Sequence, residues 1–125
     1  MTASWSPEDL RQMDAARELE IAVKRSDGTS RKWVPVWVVC AEGQVYVRTW
    51  YRRDTGWFGH ALRSRGARIR VPGLEADVVV EDIGDASPQV TADVDDAYRG
   101  KYGRAGAGSM VTDTAAATTL QLNRE

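Results

Sequence analysis

Three tight-turn signals divide the first 73 residues into short runs in which apolar and polar residues alternate. They are Asp27-Gly28, Ala41-Glu42-Gly43 and Pro72-Gly73. Glycine accepts a positive φ and proline presets its own φ, so these residues suit tight turns. Alternation with a period of two is typical of strands that bury one face. Strands joined by tight turns pair antiparallel, and this order favours a small barrel or a strongly curled sheet over a parallel α/β fold.

The expected fold class is α+β, mainly β, with about six mostly antiparallel strands and short flanking helices. Pro35 has no N–H for a ladder, so its strand is expected at a sheet edge or at a bulge. Strands are predicted over 18–24, 31–40, 44–50, 67–71 and 76–83, with a last one within 115–122. Helices are predicted over Pro7–Arg17, over Gly56–Ser64 with Gly66 as its C-terminal cap, and from a Thr91 cap to Gly103.

The chain has the size of one domain. Its 125 residues, 42% hydrophobic and 28% charged, predict a single domain over 1–125 with a flexible segment at 105–114. No apolar run approaches the ~20 residues of a membrane helix, and the N-terminus lacks the basic and apolar regions of a secretory signal. With one cysteine, no internal disulfide forms. These features predict a cytoplasmic protein without a membrane segment.

Charge is distributed unevenly along the chain. Residues 45–73 contain seven arginines and a single acid, whereas residues 74–99 contain eight acids and one base. Arg48, Arg52 and Arg53 are candidates for binding a phosphate, because guanidinium groups pair well with phosphate oxygens. The alternative is a solvated basic face that pairs with the acidic segment. The net charge of −1 argues against a nucleic-acid-binding protein.

Three tryptophans and the single histidine are further candidates. Trp37, Trp50 and Trp57 suit the walls of a site for a planar ring, although tryptophans also serve cores and subunit interfaces. Trp37 lies inside an apolar run, which favours a core position. His60 titrates near neutral pH and suits hydrogen bonding or proton donation to a substrate; the alternative is a partly exposed helix residue. One histidine and one cysteine do not make a zinc site within one chain.

The order of elements, together with five short segments, is similar to one known group of folds. The segments are VPVWVV at 34–39, VYVRTW at 45–50, GWFGHAL at 56–62, ARIRV at 67–71 and YRGKY at 98–102. They resemble the split β-barrel of flavin- and deazaflavin-binding proteins, which includes the pyridoxamine-phosphate-oxidase-like flavoproteins and the deazaflavin-dependent nitroreductases. Closer still, the chain resembles a group of small bacterial proteins of that kind with no assigned function.

The resemblance implies a homodimer that holds flavin mononucleotide (FMN) or a deazaflavin between its subunits and reduces a small molecule. The cofactor would carry the hydride step, so the protein needs little acid–base chemistry of its own. The implied cofactor-binding residues are Arg48, Thr49, Trp50, Arg52, Arg53 and Trp57, and the implied substrate side holds His60 and Tyr98. The alternative for Tyr98, which shares a helix stripe with Tyr102, is packing onto the barrel.

Two segments depart from the pattern of the deazaflavin group. Its basic Gly-Arg-Lys-Ser-Gly turn is replaced here by residues 26–30, Ser-Asp-Gly-Thr-Ser. Its Asn-Leu-x-x-Asn-Pro segment is replaced by residues 61–66, Ala-Leu-Arg-Ser-Arg-Gly. Both departures remove groups that would contact a cofactor or fix the end of the helix. They favour an alternative function, a non-enzymatic binding or structural module of the same fold that holds no cofactor.

Overall fold

The computed structural model describes residues 5–49 and 56–125 of the chain. The strands in this part are β1 (Leu19–Val23), β2 (Val34–Val36), β3 (Val38–Ala41), β4 (Gln44–Val47), β5 (Gly66–Val71), β6 (Leu74–Asp82) and β7 (Leu120–Arg124). The α-helices are α1 (Pro7–Ala15), α2 (Gly56–Ser64), α3 (Pro88–Tyr102) and α4 (Asp113–Ala116), with a 3-10 helix at Gly108–Met110.

The strands form one antiparallel sheet in the order β2–β1–β5–β6–β7–β4–β3. The two edge strands, β2 and β3, follow one another in the chain and are separated only by Trp37. The sheet curls into a nearly closed barrel, and the chain itself crosses the gap between its edges. This confirms the predicted class, and Pro35 lies in an edge strand as expected.

The run 31–40, predicted as one strand, forms two strands because its backbone changes partners at Trp37. β2 pairs with β1, whereas β3 pairs with β4 on the far side of the sheet. Each half keeps one apolar face toward the interior, so one straight strand could not serve both edges. This break explains why the described chain has seven strands where about six were expected.

Helix α3 binds the backbone at this break, which we call the barrel seam (Trp37 and Val38). The Tyr98 hydroxyl donates to the Trp37 carbonyl at 3.1 Å, and the Val38 N–H donates to the Tyr102 hydroxyl at 3.2 Å. Lys101 Nζ donates to the Val38 carbonyl at 2.8 Å. These side chains satisfy polar groups that an open sheet edge would leave unpaired.

Two apolar clusters stabilise the fold. The barrel interior is filled mainly by alternating residues of the strands, and α2 covers it with Phe58 and Ala61. The second cluster lies between α3 and the opposite face of β3 and β4. It contains Val39, Tyr46, Val94, Tyr98, Ala107 and Met110. The last two of these residues belong to the segment 105–114, which also contains the 3-10 helix.

The structure corrects one predicted helix cap and two predicted boundaries. Helix α2 ends at Ser64 as predicted, but the residue that takes the left-handed conformation after it is Arg65, with φ at 65°, because Gly66 already pairs with Val79 in the sheet. The last strand is β7, and part of the predicted run 115–122 lies in α4. Helix α3 begins at a Ser87 cap rather than at Thr91, with Pro88 at its first position.

The Ser87 cap gives a direct test of this boundary. The Val90 N–H donates to Ser87 Oγ at 3.2 Å, whereas the buried hydroxyl of Thr91 has no hydrogen-bond partner within the described residues. Ser87→Ala should therefore lower the free energy of unfolding by about 1 kcal/mol. Thr91→Val, which removes an unpartnered hydroxyl and keeps the shape, should change it by less than about 0.5 kcal/mol. Urea unfolding of both variants checks the order, and the reverse order would place the cap at Thr91.

Candidate functional site

A cleft of about 400 Å³ opens beside the barrel seam. Pro35 and Trp37 line it at the seam, Arg48 and Thr49 line it just after β4, and Trp57 reaches it from α2. We call this hollow the tryptophan cleft. Its volume falls within the range of roughly 300–1,000 Å³ that is common for small-molecule sites. The cleft brings together four of the residues that the sequence implied for cofactor binding or for a ring wall: Trp37, Arg48, Thr49 and Trp57.

Trp37 forms a rigid wall because α3 supports it from behind. Its ring stacks on Tyr102 with centroids 4.1 Å apart and an angle of 6° between the planes. The Tyr102 hydroxyl is fixed in turn, since it donates to the Arg17 carbonyl at 2.7 Å. Burial raises the pKa of Tyr102 to about 12, so this hydroxyl keeps its proton at neutral pH. Trp37 is half-buried rather than a core residue.

Trp57 forms a second aromatic part of the cleft wall. It lies in the first turn of α2 and meets the ring of Phe58 edge-on, with centroids 5.5 Å apart. Phe58 is fully buried in the barrel interior, so it anchors the helix and holds Trp57 at the rim. Two indole rings from different parts of the fold provide flat apolar surface for stacking a planar ligand.

Arg48 is held inside the protein rather than presented on the surface. Its side chain is 0% exposed and its Nη1 contacts Asp95 Oδ1 at 2.5 Å. Nε donates to Thr119 Oγ1 at 2.8 Å, and Nη1 also donates to the Met110 carbonyl at 2.8 Å. Nη2 lies 3.5 Å from the Thr91 carbonyl. Most of its N–H groups are therefore used for internal bonds, which tie β4 to α3 and to the segment before β7.

Thr49 lines the cleft, whereas Tyr98 contacts two of its lining residues, Trp37 and Arg48. The Thr49 N–H donates to Thr118 Oγ1 at 3.0 Å, and that hydroxyl donates back to the Thr49 carbonyl at 3.0 Å. Tyr98 is fully buried, and its ring lies 5.7 Å from the Arg48 guanidinium. Burial raises the pKa of the Tyr98 hydroxyl. Tyr98 thus packs beneath the cleft, and its expected place on the substrate side stays a prediction.

His60 lies in a different hollow from Trp37. Two adjoining hollows of about 520 and 340 Å³ share Arg25, Arg31 and His60, and together we call them the basic cleft. Lys24 and Arg63 line the larger hollow, and Lys32 lines the smaller one. Trp57 lines both the smaller hollow and the tryptophan cleft. His60 was predicted as a site residue, whereas the arginines on the β1–β2 connection were not.

The imidazole of His60 is surrounded by positive charge. Arg63 Nη2 donates to His60 Nδ1 at 3.0 Å, so Nδ1 is the acceptor and the ring proton lies on Nε2 in the neutral form. Partial burial and the neighbouring Arg31, Arg63 and Arg25 lower the pKa of His60. The neutral imidazole is therefore favoured in the free protein.

The single thiol shows no sign of activation. Cys40 is half-buried at the end of β3, and its Sγ lies 3.8 Å from the Leu10 carbonyl. Burial and the nearby Asp14 raise the pKa of Cys40 to about 12. Cys40 stays protonated at neutral pH, and a thiol is a poor nucleophile.

Three predicted site residues, Trp50, Arg52 and Arg53, lie outside the described residues. Within residues 5–49 and 56–125, no group of three or more histidine, cysteine or carboxylate side chains is placed to hold a metal ion. None of the helices in that part of the chain has the length and apolar character that spanning a bilayer requires.

Solved structures with this architecture come from several bacteria. A conserved hypothetical protein from Mycobacterium tuberculosis superposes with a TM-score of 0.64 at 13% identity, over 99% of this chain and 81% of that one. An FAD-binding protein from Mesorhizobium loti gives 0.63 at 13% identity, over 100% and 94% of the two chains. A NimC/NimA family protein from Clostridium acetobutylicum gives 0.59 at 14% identity, over 94% and 79%. The predicted likeness to flavin-binding split barrels is thus confirmed at the level of the fold.

Sequence comparison places the chain in a family. No curated protein sequence matches it significantly. Residues 9–122 match the model of a family described as an uncharacterized protein conserved in bacteria, DUF2255. The match covers all of the sheet except the last two residues of β7. The chain therefore belongs to the DUF2255 family.

Proposed function

We propose that this protein binds a flavin-type cofactor in the tryptophan cleft and uses it to reduce a small molecule. The observation that carries the proposal is the pair of indole rings, Trp37 and Trp57, that line one cleft of about 400 Å³. A structural neighbour of the same fold is described as FAD-binding. FMN and a deazaflavin are the cofactors proposed here, since the resemblance of the central segments points to them.

The residues of the cleft fit a planar ring system. Pro35, Trp37 and Trp57 offer flat apolar surface, while Thr49 and the rim residues Glu18 and Ser109 add polar groups. A bound flavin would supply hydride or electron transfer. The protein's own contribution would be to orient the ring against the indoles and to exclude water from it.

Other parts of the proposal come from the family resemblance. Trp50, Arg52 and Arg53 follow Thr49 directly in the chain and are proposed to extend the cofactor site. Tyr98 and His60 are proposed to lie on the substrate side. The protein is proposed to work as a single-domain homodimer in the cytoplasm, with the cleft completed by the partner subunit.

A second candidate function is a binding or structural module without a cofactor. The specific observation in its favour is the burial of Arg48 against Asp95, which uses the guanidinium of one predicted phosphate ligand for an internal ion pair. The two functions differ in whether a flavin binds at all.

Direct binding separates the two functions. We expect FMN and a deazaflavin to bind the purified protein, as measured by the fluorescence anisotropy of each ligand. Trp57→Ala should weaken the affinity about tenfold, because loss of one aromatic stacking partner costs about 1–3 kcal/mol. The matched control is Trp33→Ala, since Trp33 stacks with Arg70 at 4.0 Å and lines neither cleft.

Absence of binding by both ligands would favour the module without a cofactor. Equal losses in the two tryptophan variants would also contradict the placement of the ring, because Trp33 does not line the cleft. Thermal unfolding of both variants shows whether any loss of affinity reflects a loss of folded protein.

A further inference from the structure

We propose that the basic cleft is a binding site for the phosphate group of a small molecule. The site lies between the β1–β2 connection, which supplies Arg25 and Arg31, and α2, which supplies His60 and Arg63. The proposal does not depend on a flavin ring in the tryptophan cleft. It assigns the anion chemistry of the molecule to residues other than Arg48.

Apart from Lys24, the cations of this cleft have no ion-pair partner within the described residues, unlike cations elsewhere on the sheet. Arg68 pairs with Glu75 at 2.7 Å, and Arg70 pairs with Glu20 at 3.0 Å. In contrast, no acidic side chain within the described residues lines either hollow of the basic cleft. An accumulation of like charges is unfavourable by itself, so a bound anion would stabilise this arrangement.

Two guanidinium groups are free to bind an anion. Within the described residues, Arg31 has no hydrogen-bond or ion-pair partner for its side chain, and Arg63 contacts only His60. Arg25 is held in place, because its Nη1 donates to the Ser30 carbonyl at 2.8 Å. Lys24 is already paired with Asp77 at 3.2 Å. Guanidinium forks on two sides of a hollow match the tetrahedral oxygens of phosphate.

The smaller hollow adds an apolar wall to the site. Ile21, Val23, Val34 and Trp57 line it beside the shared arginines. The fitting ligand is therefore a phosphomonoester with an apolar or flat body rather than a free inorganic anion. Two sources share this chemistry: the phosphate tail of a molecule whose ring lies in the tryptophan cleft, and a separate phosphorylated molecule.

His60 links the site to pH. Arg25, Arg31 and Arg63 lie near its ring, and Lys24 and Lys32 also line the basic cleft. These cations disfavour the imidazolium in the free protein. A bound dianion favours the imidazolium instead, so anion binding is accompanied by proton uptake at His60. The affinity for a dianion should therefore rise as the pH falls.

Sulfate is the first probe, because it stays a dianion while phosphate titrates near neutral pH. His60 is the single histidine, so its ring C2–H signal in proton NMR reports one site. Saturating sulfate should raise the titration midpoint of His60 by about 0.5 pH unit or more. Arg31→Ala and Arg63→Ala should each weaken sulfate binding about fivefold or more. Arg99→Ala is the charge-matched control, since Arg99 pairs with Asp96 on α3.

An unchanged His60 midpoint in sulfate, or equal effects of Arg99→Ala and Arg31→Ala, would overturn the proposal. Because Arg31 and Arg63 belong to different elements, misfolding of one variant leaves the other as a test. The proposed function can fail separately: sulfate binding without flavin binding would support the anion site alone. Conversely, flavin binding together with an unchanged His60 midpoint in sulfate would support the tryptophan cleft alone.

The two sources of the phosphate are distinguished by a competition. If the tail of a flavin nucleotide occupies the site, FMN should bind more tightly than riboflavin, and Arg31→Ala should remove the difference. Inorganic phosphate should then compete with FMN but not with riboflavin. If a separate molecule occupies the site, phosphate should shift the His60 signal equally with and without riboflavin or FMN.

Discussion

Asp95→Ala should lower the free energy of unfolding by about 3–5 kcal/mol, because it leaves a buried guanidinium without its counter-charge. The Arg48 side chain is 0% exposed and that of Asp95 is 19% exposed, so water can replace the lost carboxylate only in part. Thr119 and the Met110 carbonyl still accept hydrogen bonds from it, but neither carries a negative charge. Urea unfolding measures the change.

The neighbouring acid Asp96 is the control for this variant. Its side chain is 79% exposed and pairs with Arg99 at 3.4 Å on the same helix, so Asp96→Ala should cost less than about 1 kcal/mol. Arg48→Met should also destabilise the fold, because it leaves the Asp95 carboxylate without its cationic partner. A fully stable Arg48→Met protein that merely loses ligand affinity would return Arg48 to the role of phosphate ligand.

Tyr98→Ala should lower the free energy of unfolding by about 3–5 kcal/mol, the usual cost of deleting a buried aromatic side chain. The ring of Tyr98 is fully buried in the second cluster and supports Tyr102, whose centroid lies 6.0 Å away. Its deletion would open a cavity between α3 and β3. Chemical unfolding followed by circular dichroism measures the loss.

Tyr98→Phe separates the hydroxyl from the ring. It removes the 3.1 Å bond to the Trp37 carbonyl and should cost about 1 kcal/mol. If Tyr98 served only a substrate, the alanine variant would unfold like the parent protein and lose binding instead. A phenylalanine variant as unstable as the alanine variant would mean that the hydroxyl, rather than the packing, stabilises this region.

The local sequence pattern was sufficient to predict most strands of the barrel but not the way in which its two edges meet. Strand alternation and the three turns predicted most of β1, β4, β5 and β6, because these runs each bury one face. The break at Trp37 was missed, since no residue there disrupts a strand by itself. It depends on Tyr98, Lys101 and Tyr102 from α3, which are more than 60 residues away in the chain.

The candidate site, too, could be predicted from the sequence only in part. The tryptophans could be identified from composition, and the tryptophan cleft brings Trp37 and Trp57 together. The burial of Arg48 could not be foreseen, because its partners Asp95 and Thr119 lie 47 and 71 residues further along. The basic cleft was not predicted, because Arg25 and Arg31 form a site only when the fold places His60 of α2 beside them.

The seam makes the opening of the barrel and the release of α3 a single event. The backbone at Trp37 and Val38 is bound by Tyr98, Lys101 and Tyr102, so neither partner can leave without exposing unpaired groups of the other. Amide protons of α3 and of β3 should therefore exchange with solvent together, as one cooperative unit. A molecule stacked on Trp37 would slow that exchange along the whole of α3, including turns that it never touches.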